Sequence, residues 1–241
     1  MKYISVLTIM ILLTSCQITE TINLNPDGSG SIEAVLLRDE NSYMQLMGDK
    51  YFKEEEFLDT TFVFKDYIKK YKETFSKYSP QDQKILEKYS NVKLHLKKSS
   101  FEKEFRDVFL LDFNNLSEIP DLYKSQFFAD DLKNNYVLNA EKHYYKTEYT
   151  FDGTVFKRKV SITNQAEFEK TKEELKKQES GYKGPNLVKT YILKYHFPRE
   201  IKSVSNEKAV ISSDKKMMTL EFSILDCLLN PEMTSLEVIL E

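Results

Sequence analysis

Five side chains in this sequence offer chemistry beyond charge and packing: Cys16, Cys227, His95, His143 and His196. A hydrolase would need one of these histidines beside a nucleophile or a metal ion. None of them lies in a His-Glu-x-x-His or Gly-x-Ser-x-Gly motif, and the cysteines lack the spacing of a ligand pair. The sequence therefore predicts no catalytic residue, no metal site and no cofactor. Hydrolase activity is the remote alternative, with His196 as its best candidate.

Two of the histidines lie in alternating patterns that place them on polar faces. Apolar and charged residues alternate over 92–97, which predicts a strand whose polar face carries His95 between two lysines. His196 faces away from the apolar side of its own predicted strand. We therefore expect solvent-facing imidazoles at both positions rather than metal ligands.

A calcium loop is the other ion site that the sequence raises. Asn23, Asn25, Asp27 and Gly28 fit the first half of an EF-hand, but Ala34 occupies the position of the bidentate glutamate. The alternative is a turn between two alternating runs, in which a proline opens the turn and Gly28 adopts the left-handed conformation. The sequence favours a hairpin over 18–36.

The beginning of the chain has the pattern of a secretion signal. Lys2 supplies a positive charge, residues 4–13 are almost wholly apolar, and small residues precede Cys16. A membrane span needs about 20 apolar residues, and this run is much shorter. The sequence therefore predicts that residues 1–15 form a removable signal peptide, followed by a short tether at Gln17.

The residues Leu13-Thr14-Ser15-Cys16 resemble the lipobox of bacterial lipoproteins. This resemblance implies that the thiol of Cys16 is diacylglyceryl-modified, that the preceding peptide is removed, and that the new amino terminus is acylated, with palmitate as a typical acyl group. Cys16 would be the lipidation site and would anchor the chain to a membrane. Gln17 follows it instead of aspartate, which under the sorting rule of enterobacterial lipoproteins implies the outer membrane, on a side that the residues leave open.

Composition predicts a packed extracytoplasmic body. Lysine and glutamate are interleaved and the net charge is −3, so the chain has no sustained basic face for nucleic acid. Aromatic residues are frequent, whereas glycine and proline are scarce. If Cys16 carries lipid, Cys227 has no disulfide partner, and its apolar neighbours indicate an inert structural thiol. Residues 16–241 are predicted to form a single domain, or two lobes that divide near 135–142.

Hydrophobic periodicity predicts an α+β fold: a mostly antiparallel sheet with helices packed on one face and a strand-rich carboxyl-terminal part. Strands are predicted at 58–64, 92–97, 105–113, 187–197, 218–224 and 236–240, and helices at 39–56, 67–75, 116–135 and 164–178. Asp152-Gly153 predicts a two-residue turn within 145–162, which pairs Tyr149 with Phe156 and Glu148 with Lys157.

A second resemblance rests on turn and strand signatures near both ends of the chain. They look like those of uncharacterised lipoproteins of Bacteroidetes-type bacteria and, more loosely, of LppM-like lipoproteins, whose anchored domain mixes sheet and helix. The resemblance implies an architecture and transfers no catalytic residue. The signatures are Asp27-Gly28-Ser29-Gly30, the stretch 196–203, Ser213-Asp214-Lys215-Lys216, Asn230-Pro231-Glu232 and Leu236-Glu237-Val238.

These features predict a membrane-anchored envelope lipoprotein with a non-enzymatic binding or scaffolding role. The alternative is a periplasmic or surface carrier of lipids or small apolar ligands, because the many tyrosines and phenylalanines are able to line a cavity between sheet and helices. The predicted partner is the membrane, reached through Cys16. An envelope protein and a lipid ligand stay open as further partners, and nucleic acid does not.

Overall fold

The computed structural model describes residues 16–53, 57–138, 144–181 and 189–241. Within these residues, 12 strands form two mostly antiparallel sheets, accompanied by seven α-helices and three short 3-10 helices. This confirms the predicted α+β class and its strand-rich carboxyl-terminal part. None of the helices in the described ranges is long and apolar enough to cross a membrane.

The larger sheet has eight strands, and its only parallel pair is β8 and β1, the third and fourth strands in spatial order. In spatial order it contains β10 (Val210–Ile211), β11 (Met217–Ser223), β8 (Thr190–His196), β1 (Cys16–Leu24), β2 (Gly30–Arg38), β5 (Glu104–Phe113), β4 (Lys93–Ser99) and β3 (Phe57–Val63). The smaller sheet is antiparallel throughout. In spatial order it contains β6 (Tyr145–Phe151), β7 (Val155–Ile162), β12 (Leu236–Leu240) and β9 (Ile201–Val204).

Two of the predicted helices are shorter than expected because the backbone leaves the helical region. The helix predicted at 39–56 changes to a 3-10 turn at Gly48, whose φ is +52°. The helix predicted at 67–75 is interrupted at Tyr71, whose ψ is +37°. The α-helices are α1 (Glu40–Met47), α2 (Phe64–Lys70), α3 (Lys72–Phe75), α4 (Pro80–Glu87), α5 (Lys124–Asn134), α6 (Gln165–Gly181) and α7 (Ile224–Leu229), and the 3-10 helices are Gly48–Lys53, Leu116–Glu118 and Pro231–Thr234.

The first predicted hairpin is confirmed. β1 and β2 pair from Cys16 opposite Arg38 to Leu24 opposite Gly30. Gly28 has a φ of +84°, as the turn chemistry predicted. Gly30 has a different reason to be glycine: a Cβ there would lie 2.1 Å from the backbone oxygen of Asn23.

The second predicted hairpin is confirmed, but its predicted register is wrong. Phe156 pairs with Phe151, and Tyr149 pairs with Arg158. The central residues of the turn are Gly153 and Thr154, because the Asp152 carboxylate accepts hydrogen bonds from the backbone N–H groups of Thr154 (2.9 Å) and Val155 (2.7 Å). The pairing predicted for Glu148 with Lys157 changes in the same way, since Glu148 lies opposite Lys159.

One face of the larger sheet carries the core. Ile22 and Tyr195 on this face lie against the smaller sheet, and the Tyr195 and Phe156 ring centroids are 5.4 Å apart. Further along the same face, Phe109 packs near the residues that precede α5. The largest fully buried side chains include four phenylalanines, Phe64, Phe109, Phe128 and Phe156. Phe64 of α2 and Phe128 of α5 belong to the same core cluster as Phe109 of the sheet, so these helices pack on this face, as predicted.

Several predictions lie partly or wholly outside the described residues. The predicted signal peptide at 1–15 and His143 fall there. Residues 139–142, which belong to the predicted lobe boundary, also fall there. The division of the chain into one domain or two lobes stays a prediction.

Candidate functional site

Cys16, the predicted lipidation site, is the first residue of β1 and lies opposite Arg38, the last residue of β2. The tether predicted at Gln17 is wrong, because Gln17 already pairs with Leu37 and with Thr190. The predicted attachment point is therefore joined directly to the central strands of the larger sheet.

We call this end of the larger sheet the anchor end. At this end β1 and β3 begin, β2 and β4 end, and β5 begins. The strand register fixes the alignment, since Leu37 pairs with Arg106, Glu104 with Ser99, and Ser99 with Phe57.

Arg38 organises a packed cluster at the anchor end. Its guanidinium lies 3.7 Å from the ring centroid of Tyr43 and 3.6 Å from that of Phe105. It also forms an ion pair with Glu40, whose other carboxylate oxygen accepts a hydrogen bond from the Tyr51 hydroxyl at 3.1 Å. These contacts hold the α1 segment over the end of β2, where cation–π and charged hydrogen bonds reinforce one another.

A second cluster of polar side chains is buried between the two sheets. Glu20 is only 3% exposed, although it is a charged residue, because it lies on β1 between the inward-facing residues Ile18 and Ile22. Arg158, on the inward face of β7, is 4% exposed. We call this the polar cluster, and its members are Glu20, Tyr149, Arg158, Tyr191, Tyr195 and Thr234.

Three tyrosine hydroxyls donate hydrogen bonds to the Glu20 carboxylate. Tyr195 and Tyr149 donate to Oε1 at 2.5 and 2.9 Å, and Tyr191 donates to Oε2 at 2.7 Å. The pKa values of all three tyrosines are raised well above 10, because burial disfavours the phenolate and the Glu20 charge repels it. The hydroxyls therefore stay protonated and remain donors.

Arg158 supplies the counter-charge but bonds mainly to neutral groups. Its Nη1 donates to the backbone oxygen of Thr234 at 2.9 Å and to the hydroxyl of Thr234 at 2.6 Å, and its Nη2 donates to the Tyr191 hydroxyl at 2.9 Å. The Nε lies 3.5 Å from Glu20 Oε1, which is an ion-pair distance but longer than a hydrogen bond. Tyr191 thus links the two charges by accepting from Arg158 and donating to Glu20.

The polar cluster joins strands of both sheets rather than lining an open cleft. Glu20, Tyr191 and Tyr195 belong to the larger sheet, whereas Tyr149 and Arg158 belong to the smaller one. Buried charges need such partners, since an unpaired one costs several kcal/mol. The chemistry that this arrangement supports is structural: it fixes how the two sheets dock.

The sequence predictions did not identify Glu20 or Arg158 as a pair. Each strand carried a sequence signal of its own, since a charged residue occupies a position of an alternating run where an apolar residue is expected. The two charges are also opposite, as a buried pair requires. Pairing them required knowledge that two residues 138 positions apart in the sequence meet, which the local pattern does not contain.

The two histidines that the structure describes, His95 and His196, do not converge on a common site. His95 Nε2 lies 2.9 Å from Asp59 Oδ1, and both side chains are partly exposed. His196 is on β8, four strand positions away from β4, or about 19 Å at the usual spacing of strands. In the described ranges, no three or more His, Cys, Asp or Glu residues are grouped to hold a metal ion.

Cys227 lies in α7 and is half-buried. Burial raises the pKa of its thiol to about 12, in agreement with the interpretation of an inert structural thiol.

A surface pocket of about 320 Å³ lies between the two hairpin turns, at the end of the molecule opposite Cys16. Its two acidic residues, Asp27 and Asp152, are engaged in their own turns. Hydrogen bonds from Ser29 lower the pKa of Asp27, and backbone hydrogen bonds from Val155 and Thr154 lower that of Asp152. These carboxylates stabilise the turns. Nothing described in this pocket indicates that it binds a ligand.

No protein-family model matches this chain, and no curated protein matches it. Among solved structures, the NMR structure of the folded domain of Mycobacterium tuberculosis LppM matches 95% of this chain and 90% of that chain. The TM-score is 0.37 and the sequence identity is 9%. The chain thus has a weak structural similarity to the LppM domain, which carries no argument about function. The resemblance to Bacteroidetes-type lipoproteins stays a prediction.

Proposed function

We propose that this chain is a lipid-anchored lipoprotein of the cell envelope with a non-enzymatic binding or scaffolding role. The observation that supports this proposal is the signal pattern itself: a positive charge at Lys2, a short apolar run and small residues directly before Cys16. The pattern predicts cleavage immediately before Cys16. Cys16 pairs with Arg38 in the larger sheet, so the proposed lipid would be attached directly to the folded body.

The proposed anchor is strong enough to be permanent. Each buried methylene of an acyl chain contributes about 0.8 kcal/mol, and one chain alone binds only marginally. Several chains on Cys16 would hold the protein at the bilayer without any membrane-spanning segment. The outer membrane is the proposed location because Gln17, rather than aspartate, follows the cysteine.

A binding or scaffolding role is favoured over catalysis by the way polar groups are used. The polar cluster is buried between the sheets, and His95 pairs with Asp59. The aromatic residues that motivated the carrier alternative lie largely in the core, including Phe64, Phe109, Phe128 and Phe156. No specific observation favours a ligand cavity, so we propose that the outer surface carries the function.

Two cysteine variants test the anchor, because the chain contains only Cys16 and Cys227. Cells would be labelled with a clickable palmitate analogue, and the wild-type, Cys16→Ala and Cys227→Ala proteins compared for label and for membrane fractionation. We expect Cys16→Ala to lose the label, to keep residues 1–15 and to leave the outer-membrane fraction. Cys227→Ala is the matched control and should behave as wild type.

The result that would contradict the proposal is equally clear. If Cys16→Ala kept both the acyl label and the wild-type fractionation, Cys16 would not be the attachment site and the lipoprotein assignment would fail.

A further inference from the structure

The most exposed phenylalanines in the described ranges lie at the anchor end. Phe101 is 81% exposed and Phe57 is 68% exposed. Leu37 and Leu58, at 40% and 36%, lie at the same end. Isolated exposed apolar residues are ordinary, but several at one end of a sheet mark a contact surface.

The strand register places these side chains beside Cys16. Phe57 begins β3, which is separated from β1 by β2, β5 and β4, and four strand spacings amount to about 19 Å. Phe101 lies in the turn that joins β4 to β5, at about 10 to 14 Å from β1 by the same spacing. Both phenylalanines are therefore at the level of Cys16 and to one side of it.

We propose that the anchor end lies on the bilayer surface, with Phe57 and Phe101 inserted into the interfacial region beside the acyl chains of Cys16. This inference rests on the proposed function, because it requires lipid on Cys16. Since β1 begins at Cys16, the acyl chains cannot enter the bilayer unless this end of the sheet approaches the headgroups. One anchor alone would leave the body free to rotate, whereas two further contacts define an orientation.

The charges at this end fit a zwitterionic membrane. Lys97 forms ion pairs with Glu102 at 2.7 Å and Glu104 at 2.8 Å, so the acidic side chains beside Phe101 are neutralised. Arg106 also pairs with Glu104, at 3.1 Å. Insertion is thus expected to be driven by apolar contact.

The absence of tryptophan from the chain makes the test direct. The full-length acylated protein would be reconstituted in phosphatidylcholine vesicles as Phe57→Trp, Phe101→Trp and Val210→Trp variants. Val210 is the matched control because it is 69% exposed on the same sheet. Through Thr219 and Lys194 it is level with Thr21, five residues along β1 from Cys16, or about 17 Å from the anchor end.

Spin-labelled lipid should quench the tryptophan of Phe57→Trp and of Phe101→Trp severalfold more strongly than that of Val210→Trp. Their emission should also shift to shorter wavelength when the vesicles are added. Far-UV circular dichroism of each variant checks that the fold is retained.

Two failures are distinguishable. If the acylated variants cosediment with vesicles but all three tryptophans stay equally unquenched, the anchor stands and the docking proposal is overturned, so that the apolar end would face a protein instead. If the protein carries no acyl group and does not cosediment, the proposed function fails and the docking proposal fails with it.

Discussion

Glu20→Gln is expected to destabilise the fold more than Arg158→Met. When Arg158 is replaced, the Glu20 carboxylate keeps its three tyrosine donors. When Glu20 is neutralised, Arg158 keeps only its bonds to Thr234 and Tyr191. A guanidinium cannot lose its proton under these conditions, so its charge stays buried without a counter-charge.

The magnitudes follow from that asymmetry. A buried charge that loses its partner costs about 3–5 kcal/mol, which is the expected loss for Glu20→Gln. Arg158→Met should cost less, because the three charge-assisted hydrogen bonds from the tyrosine hydroxyls would still stabilise the Glu20 carboxylate. The double variant should be about 1–3 kcal/mol less destabilised than the sum of the single variants.

Urea unfolding followed by far-UV circular dichroism measures these differences. The protein would be the chain from residue 16 onward with Cys16→Ser, so that acylation does not interfere. The reasoning is refuted if Glu20→Gln costs less than about 1 kcal/mol, because a buried unpaired guanidinium is expected to cost several times that. Equal losses for the two single variants would also refute it.

Three further outcomes are expected. The tyrosines of the polar cluster have raised pKa values in the folded state, so their stabilising contribution is present below about pH 10 and is lost above it. At pH 11 the free energy of unfolding should be lower by about 4 kcal/mol for the three groups, and the protein should unfold at a lower urea concentration. A pKa near 12 instead of 9 leaves Cys227 with about 1,000-fold less thiolate at pH 8, so a thiol reagent should modify it slowly until urea is added. Gly30→Ala should cost more than Gly153→Ala in the same unfolding assay. A Cβ at position 30 would clash with the Asn23 backbone, whereas a Cβ at position 153 would meet no atom within 4 Å and only its positive φ would be strained.

Local chemistry predicted much of the fold correctly. The β1–β2 hairpin follows from alternation and a turn whose glycine needs a positive φ, and both determinants lie within about 20 residues. The α6 start is similarly local, since the Asn164 side chain caps the helix by accepting a hydrogen bond from the Glu167 N–H at 3.1 Å. Such features depend on neighbours in sequence and need no tertiary contact.

The β6–β7 register was wrong for an equally local reason. Asp152 was assigned to the centre of the turn, but its carboxylate binds two backbone N–H groups and moves the turn by one residue. The faces of both strands were unaffected, because moving the turn by one residue changes the facing partner by two. The error nevertheless concealed the pairing of Tyr149 with Arg158, and with it the polar cluster.

The polar cluster and the proposed anchor share one strand, and this has a mechanical consequence. Glu20 is four residues from Cys16, or about 13 Å along β1. Through Tyr149 and Arg158 it holds the smaller sheet, and through Tyr191 and Tyr195 it holds β8. An anchor at Cys16 would therefore hold both sheets close to the membrane, because Cys16 and Gln17 are already paired in the larger sheet. Weakening the polar cluster should loosen the smaller sheet while leaving β1 at the membrane, so stability and localisation are expected to respond to different residues of the same strand.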